Sequence, residues 1–206
     1  MTFLTSDWHL NSSNIVNYEN RPFSDGHKMI DSYIKSINDK TKRKRDCMIH
    51  VGDFYHKGKS HYMEGDIELG YKVEDLLDKI NCNVILLQGN HDINNTGFCH
   101  GRWMTLNLDK NRIATAGHYP STNRRFDIPY SGTSYENLHI HLCGHVHNSF
   151  RFFLDRNRYI LNVNVGVDVW NHRPIPLNKL NGYIDSYISK LLNDRSISNV
   201  NRTTIK

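Results

Sequence analysis

The sequence has few cysteines and no long apolar run, and both absences exclude classes of protein. Its 4 cysteines form no Cys-x-x-Cys pair among 206 residues, so neither a disulfide framework nor a thiolate zinc site is indicated. No run approaches the length of about 18 apolar residues that indicates a membrane span. The opening stretch MTFLTSDWHL lacks the basic start and apolar core of a secretory signal. We therefore expect a soluble, cytoplasmic protein with no membrane partner.

The sequence also lacks internal repeats and low-complexity tracts, which argues against a solenoid or a long disordered tail. Hydrophobic residues make up 38% and charged residues 23% of the chain, a composition and length that suit one globular domain with a buried core. We expect this domain to cover residues 1–195, followed by a frayed tail at 196–206.

The charge of the chain favours anionic partners, since the formal net charge is +5. The densest basic run consists of Lys40, Lys42, Arg43, Lys44 and Arg45. Such a run is more often a solvated connection between a helix and a strand than a nucleic-acid patch. The count of 13 histidines is more unusual, and their positions suggest a function.

Apolar runs alternate with helical patterns in the first half of the chain, and strands predominate in the second half. The predicted strands are at 2–5, 47–51, 84–87, 113–116, 138–142 and 159–165. Apolar residues at helical spacing predict helices within 29–37, 67–80 and 183–192. This order indicates an α/β fold in which packed sheets are flanked by helices.

Five of the predicted strands end in side chains that can bind metal ions. These side chains are Asp7 with His9, Asp53, Asn90 with His91 and Asp92, His118, and His145 with His147. In α/β folds ligands collect beyond the carboxyl ends of strands, where loops hold side chains on a rigid support. We therefore expect all five clusters on one rim of the molecule.

Each cluster is weak evidence alone, because Asp-x-His is common by chance and Gly-Asp after a strand is more often a turn. The stretches Gly-Asn-His-Asp at 89–92 and Gly-His-Val-His at 144–147 are more specific. Each places several polar side chains behind a glycine that permits a tight turn. The occurrence of all the clusters in order, each after a strand, is the strongest functional signal in the sequence.

This order resembles the calcineurin-like metallophosphoesterase superfamily, whose pattern is Asp-x-His, Gly-Asp, Gly-Asn-His-Asp/Glu, a lone His and Gly-His-x-His. The resemblance covers roughly residues 3–169, and the size is similar to that of small stand-alone members from bacteria and phages. It implies an αββα sandwich, in which two mixed β-sheets pack face to face with helices on the outside.

Residue by residue, the resemblance implies two divalent metal ions. It assigns Asp7, His9 and His147 to the first ion, Asn90, His118 and His145 to the second, and Asp53 to both as a bridge. Imidazole nitrogens mixed with carboxylate and amide oxygens suit Mn²⁺, Fe²⁺, Zn²⁺, Co²⁺ or Ni²⁺. Two ions about 3.5 to 4 Å apart can clamp phosphate oxygens and lower the pKa of a water to about 7.

The implied reaction is hydrolysis of a phosphoester by in-line attack of a metal-bridging hydroxide. His91 is the expected general acid, because the family pattern keeps this histidine out of the metal shell and near the leaving group. Asp92 follows it directly and is expected to orient its ring or stabilise its cationic form.

The second motif differs from that of the phosphoprotein phosphatases, which carry Gly-Asp-x-x-Asp-Arg. Residues 52–57 read Gly-Asp-Phe-Tyr-His-Lys, so the second acid and the arginine are missing. A Ser/Thr protein phosphatase is therefore disfavoured. His56 remains either an ordinary loop histidine or a contact to the substrate or to a metal ligand.

Residues around the rim suggest how the substrate is bound. Arg21 follows the first motif closely enough to grip a phosphate bidentately, although a plain turn is equally common there. Asn90 is expected to contact the substrate as well as a metal ion. The long loop at 119–135 carries Arg124 and Arg125, and we expect it to select the substrate.

Two further sets of residues lie near the motifs in the sequence. Asp168 and Trp170 follow the last strand and are expected near the same edge, where buried packing is the favoured role of Trp170. His139 and His141 point to one face of their strand. Support of a metal ligand or core packing is favoured over direct ligation for both of them.

The sequence favours a phosphodiesterase that acts on a nucleotide or a nucleic acid. The positive charge supports this substrate class, and no large cap domain is available to enclose a small phosphomonoester. The alternatives are a phosphomonoesterase of small molecules, a metal-bound binding protein without catalysis, and a nucleic-acid-binding protein that relies on the basic run.

Overall fold

The chain folds into two β-sheets and four α-helices over the residues that the computed structural model describes, 1–42, 45–56, 67–123 and 130–203. The strands are β1 (Thr2–Thr5), β2 (Cys47–Val51), β3 (Asn83–Leu87), β4 (Trp103–Asn107), β5 (Ile113–Gly117), β6 (His139–Cys143), β7 (Phe152–Asp155), β8 (Ile160–Asn164) and β9 (Ile175–Pro176). The α-helices are α1 (Ile15–Tyr18), α2 (Gly26–Asn38), α3 (Val73–Asp78) and α4 (Leu177–Thr203). Two 3₁₀ helices cover His91–Phe98 and Val167–Val169.

Both sheets are mixed. The first has the strand order β3-β2-β1-β9 and the second the order β4-β5-β6-β8-β7. The neighbours β1, β2 and β3 are parallel, as are β5, β6 and β8. The edge strands β9, β4 and β7 are antiparallel to their neighbours. This architecture confirms the predicted α/β fold with two sheets.

The apolar layer between the sheets is built by alternate residues of the strands. Leu4 and Ile49 of the first sheet share one buried cluster with Leu142 and Val163 of the second. Leu180 of α4 joins the same cluster. Successive residues of a strand point to opposite faces. The residues before and after these strand residues therefore point away from the layer between the sheets.

Helices α1, α2 and α3 cover the other face of the first sheet. The amphipathic helix α2 buries Met29, Tyr33 and Ile37 against Phe3 and Met48 of the sheet. The residue before it, Asp25, is the N-cap, and its side chain accepts a hydrogen bond from the Lys28 backbone N–H at 2.8 Å. Such an N-cap satisfies one of the free amides of the first helical turn.

The predicted helix at 67–80 is wrong over its first half, because α3 begins only at Val73. The backbone N–H groups of Leu69 and Tyr71 donate instead to the carbonyl and side-chain oxygens of Asn11, at 3.0 and 2.9 Å. Gly70 has a φ of 87°, which no right-handed helix accommodates. Residues 67–72 therefore dock on the loop after β1, where Leu69 and Tyr71 pack against the core while Ile67 is 67% exposed.

The C-terminal helix α4 extends to Thr203 and so overlaps the tail expected at 196–206; residues 204–206 lie outside the described residues. The basic run falls in the connection between α2 and β2, where Arg43 and Lys44 also lie outside the described residues. Among the helices that the structure describes, none is both long enough and apolar enough to cross a bilayer.

Candidate metal centre

The loops that follow the parallel strands of both sheets meet at one rim. The Asp7 backbone N–H donates to the Gly52 carbonyl at 3.1 Å, which joins the loops after β1 and β2. The Gly144 N–H donates to the His118 carbonyl at 3.0 Å, which joins the loops after β5 and β6. The two sheets are linked where the His145 N–H donates to Asp7 Oδ1 at 2.9 Å. The structure thus brings the predicted clusters together.

Side chains at this rim form four overlapping groups, and within each group the ligand atoms lie within 4.8 Å of one another. The first is Asp7 with His9 and His147, the second Asp53 with His118 and His145, and the third His9 with Asp53 and His91. The fourth, Glu19 with His147 and Asp168, shares His147 with the first. The first two groups contain six of the seven residues that the family resemblance assigns to metal ions, divided between the two ions in the same way. The seventh, Asn90, lies beside the second group, because its Oδ1 is 3.0 Å from His118 Nε2.

Asp53 is a member of the second group and also lies close to the first. Its Oδ2 is 3.6 Å from His9 Nε2 and 3.1 Å from His118 Nε2, and the residue is only 1% exposed. Burial raises the pKa of the Asp53 carboxyl, but the neighbouring imidazoles of His118 and His9 outweigh burial and hold it well below the usual range. An ionised carboxylate in this position can contact both groups.

The carboxylates make the centre attractive to cations. Burial lowers the pKa of His118, yet Asp53 and Asp7 outweigh this effect and raise it to about 9. Burial and the charge of His118 lower the pKa of His145 to about 4, so this ring is neutral near pH 7. A neutral imidazole is the form that binds a metal ion.

His9 provides a test of whether the residues fit a metal ion. Both of its ring nitrogens are buried and have no hydrogen-bond partner among the described residues. Burying a polar group without a partner costs roughly 2 to 7 kcal/mol, and a divalent cation at the centre would satisfy one of the two nitrogens. The other candidate ligands of the centre are imidazole, carboxylate and amide groups, which suit borderline divalent ions. The residues present fit such an ion.

The backbone at the centre adopts an uncommon conformation. Five of the clustered residues have positive φ angles: Asp7 (59°), His9 (50°), Asp53 (55°), His145 (71°) and His147 (43°). Side-chain-bearing residues rarely occupy this region, and such strain concentrates at functional sites at a cost of about 1 to 3 kcal/mol per residue. The surrounding hydrogen bonds hold these turns and thereby aim the side chains inward.

The glycines of the two specific motifs allow the loops to approach closely. A Cβ atom on Gly89 would overlap Oδ1 and the backbone nitrogen of Asp53. A Cβ atom on Gly144 would overlap the Ser6 hydroxyl and lie 2.5 Å from Asp7 Oδ2. Glycine is therefore required at both positions by the space that the metal-competent carboxylates occupy.

His91 and Asp92 have different surroundings. The His91 N–H donates to Asp53 Oδ1 at 2.8 Å, and its ring lies 4.8 Å from that of His9. Asp92 is buried and accepts backbone hydrogen bonds from Asp53 at 2.7 Å, Gly89 at 2.9 Å and Tyr55 at 3.2 Å. The described hydrogen bonds of Asp92 therefore connect the loops after β2 and β3. None of them reaches the ring of His91, which Asp92 is expected from the sequence to orient.

Arg21 lies inside the protein, behind the first group of ligands. Its guanidinium is paired with Asp168 and with backbone carbonyls, so its contacts differ from the phosphate grip that its sequence position suggests. Asp168 in turn contacts His147 Nδ1 at 2.8 Å. Burial raises the pKa of Asp168, but His147 and Arg21 outweigh it and lower the pKa to about 2. In the sequence, the only sign of the contact between Asp168 and His147 is that Asp168 follows the last predicted strand.

The other rim residues are placed as follows. Arg124 and Arg125 lie outside the described residues. Trp170 is partly buried and its Nε1 donates to the Asn164 carbonyl at 2.7 Å. His139 and His141 share the Thr115 hydroxyl, each at 2.9 Å. His141 Nε2 also lies 2.9 Å from the carbonyl of Tyr119, the residue next to His118.

Comparisons with known proteins agree with this fold and identify a family. A family model described as calcineurin-like phosphoesterase matches residues 2–202. The uncharacterized protein MJ1445 of Methanocaldococcus jannaschii is 28% identical over 177 residues, which are 85% of this chain and 86% of that relative. The crystal structure of AQ665 from Aquifex aeolicus, described as a protein of unknown function, matches with a TM-score of 0.61 at 18% identity. That match covers 89% of this chain and 98% of the other, and it supports the fold.

Proposed function

Because this chain belongs to the calcineurin-like phosphoesterase family, we propose that it is a phosphodiesterase that acts on a nucleotide or a nucleic acid. The family implies metal-dependent hydrolysis of phosphoesters, and the substrate class is our extension. The observation that carries the proposal is the pair of ligand groups that meet at Asp53.

We propose the division of the ligands that the geometry favours. Asp7, His9 and His147 would hold one divalent ion, Asn90, His118 and His145 would hold the other, and Asp53 would contact both. When bound, two such ions polarise phosphate oxygens and lower the pKa of water. The buried loops contribute by fixing these side chains before the substrate arrives, which avoids reorganisation during the reaction.

His91 is the proposed general acid. Its backbone is fixed by the Asp53 carboxylate at 2.8 Å, and its half-buried ring lies beside the centre, next to the rings of His9 and His56. Burial lowers the pKa of His91, although the Asp53 carboxylate favours the charged ring, so a proton that the ring carries would be given up readily to the leaving oxygen of the ester. Asp92, whose carboxylate binds the backbone at Asp53 and Gly89, supports the loops on which His91 and Asp53 stand.

The preference for a diester is supported by charge and by shape. The formal charge of +5 favours a polyanionic or nucleotide substrate. The described residues form the two sheets and their helices, and none of them builds a separate cap over the rim. Over the part of the rim that the structure describes, a substrate that extends on both sides of the phosphorus would meet no separate cap.

A substrate screen on Mn²⁺-loaded protein tests the proposal. We expect hydrolysis of bis-p-nitrophenyl phosphate to exceed that of p-nitrophenyl phosphate, together with activity on cyclic nucleotides, dinucleotides or single- or double-stranded nucleic acid. The matched control is Asp53→Asn, which should lose activity on every substrate. Activity on monoesters alone would overturn the diester preference, and a metal-loaded protein that is silent on the whole panel would overturn the enzymatic function.

A further inference from the structure

Arg21 and Asp168 form a buried ion pair directly behind the first group of ligands. The Arg21 Nε donates to Asp168 Oδ1 at 2.8 Å and its Nη2 donates to Oδ2 at 2.9 Å. Both side chains are 0% exposed. Two parallel hydrogen bonds of this kind fix the orientation of a carboxylate as well as its position. The orientation of Asp168 is therefore set by Arg21.

The same carboxylate orients His147. Its Oδ2 lies 2.8 Å from His147 Nδ1, and an ionised carboxylate can only accept. The proton of a neutral His147 ring is therefore on Nδ1, which leaves the lone pair of Nε2 for an ion. Carboxylate partners of this kind fix the tautomer and raise the basicity of a ligating imidazole.

Arg21 also holds the backbone of the first motif. Its Nη2 donates to the Asp7 carbonyl at 2.7 Å and its Nη1 to the Trp8 carbonyl at 3.1 Å. These carbonyls lie in the turn where Asp7 and His9 both have positive φ angles. The guanidinium thus supplies buried donors to a turn that would otherwise relax toward a more common conformation.

We propose that Arg21 and Asp168 are positioning residues that preassemble one of the two ion sites. Their hydrogen bonds reach His147 and the turn that carries Asp7 and His9. Among the bonds that the structure describes, none from this pair reaches Asn90, His118 or His145. The inference rests on the proposed two-ion centre and adds to it that the direct hydrogen bonds of this pair support the ligands of one site only.

A calorimetric titration with Mn²⁺ tests the inference without any activity measurement. In Asp168→Asn we expect one of the two binding events to weaken by about 10 to 100-fold, while the other keeps the parent affinity. Arg21→Lys keeps the positive charge but loses the paired hydrogen bonds to Asp168, and it should weaken the same binding event by a smaller factor. The matched control is Arg112→Gln, which removes a partly exposed arginine paired with Asp109 and Asp185 on the surface and should leave both events unchanged.

Circular dichroism and urea unfolding of the metal-free variants accompany the titration. If Asp168→Asn does not fold, the two Mn²⁺ binding events of Arg21→Lys are compared with those of the parent protein instead. Parent affinity at both sites in a folded variant would overturn the positioning role, and so would an equal loss at both sites that follows a loss of stability. A parent protein that binds no Mn²⁺ would instead overturn the proposed two-ion centre itself.

Discussion

The imidazoles of the centre differ in how their second nitrogen is occupied. His118 Nδ1 lies 3.0 Å from the Val51 carbonyl, and His147 Nδ1 lies 2.8 Å from the Asp168 carboxylate. Because these oxygens only accept, Nδ1 carries a proton in both rings. In a neutral His147 this leaves Nε2 for an ion, whereas His118 Nε2 also lies against acceptors, Asn90 Oδ1 at 3.0 Å and Asp53 Oδ2 at 3.1 Å. The raised pKa of His118 means that an ion would displace the Nε2 proton on binding. His9 has no such partner among the described residues, so its orientation depends on packing and on the turn that carries it.

His91 is the residue whose role is most open to direct measurement. It lies within reach of His9 and Asp53, so both a ligand and a general acid fit its position. On a substrate with a poor leaving group, we expect His91→Ala to lose about 10² to 10⁴-fold in turnover, because the leaving oxygen is no longer protonated. On p-nitrophenyl esters the loss should be much smaller, since that leaving group needs little protonation.

Steady-state kinetics and elemental analysis of the same preparations separate the two roles. The control is His27→Ala, which removes an exposed histidine whose ring contacts Tyr71 and should leave turnover unchanged. His91→Ala should retain the metal content of the parent. Loss of an ion would make His91 a ligand, and equal turnover on the poor leaving group would exclude the acid.

At the scale of elements, the centre depends on the close approach of the loops after β2 and β3. The Asp92 carboxylate binds the backbone of Asp53 and Gly89, and Asp53 Oδ1 binds the backbone of His91. These reciprocal bonds leave no room for a side chain at Gly89. The geometry of Asp53 is therefore coupled to that of the 3₁₀ helix that starts at His91.

We expect Gly89→Ala to force these two loops apart. The added methyl group overlaps Asp53, and overpacking of this kind costs typically about 1 to 3 kcal/mol. Metal-binding affinity and activity should fall together. Urea unfolding and Mn²⁺ titration measure the two effects.

The control for that change is Gly182→Ala in α4, where the added Cβ meets no atom within 4 Å. Alanine in an open helical position should stabilise the protein by up to about 1 kcal/mol. Parent-like metal affinity in Gly89→Ala would show that the loop contact does not position Asp53.

The sequence predicts the parallel strands well and the antiparallel edge strands poorly, for physical reasons. All six predicted strands are present with bounds within one residue, because buried strands appear as short apolar runs. The edge strand β4 alternates between exposed and half-buried residues, and β9 has only 2 residues. Such strands are stabilised by their neighbours, so their own residues carry little signal.

The same distinction applies to the centre. The metal-competent side chains follow strands in short motifs, and each motif is visible locally. The contacts of Arg21 depend on Asp168, which lies 147 residues further along the chain, and on backbone carbonyls that no motif marks. A single sequence does not show which distant residues pair. The folded structure does, because the guanidinium and the carboxylate form two parallel hydrogen bonds.

At the scale of the whole molecule, the two groups that contain the proposed ligands of each ion draw on both sheets. Asp7 and His9 follow β1 of the first sheet while their partner His147 follows β6 of the second, and Asp53 follows β2 while His118 follows β5. The centre therefore forms only when the sheets are packed. Ions that bind the packed state alone also stabilise it, by about 2.7 kcal/mol for one site at a concentration 100 times its dissociation constant.

The proposed sharing of the Asp53 carboxylate by two ions distinguishes this centre from two independent sites, and this sharing can be measured directly. We predict two Mn²⁺ ions per parent chain by elemental analysis, with magnetic exchange between them in low-temperature electron paramagnetic resonance. Asp53→Asn should hold at most one ion tightly and show no exchange. One ion per parent chain, or two exchange-coupled ions in Asp53→Asn, would contradict the shared centre.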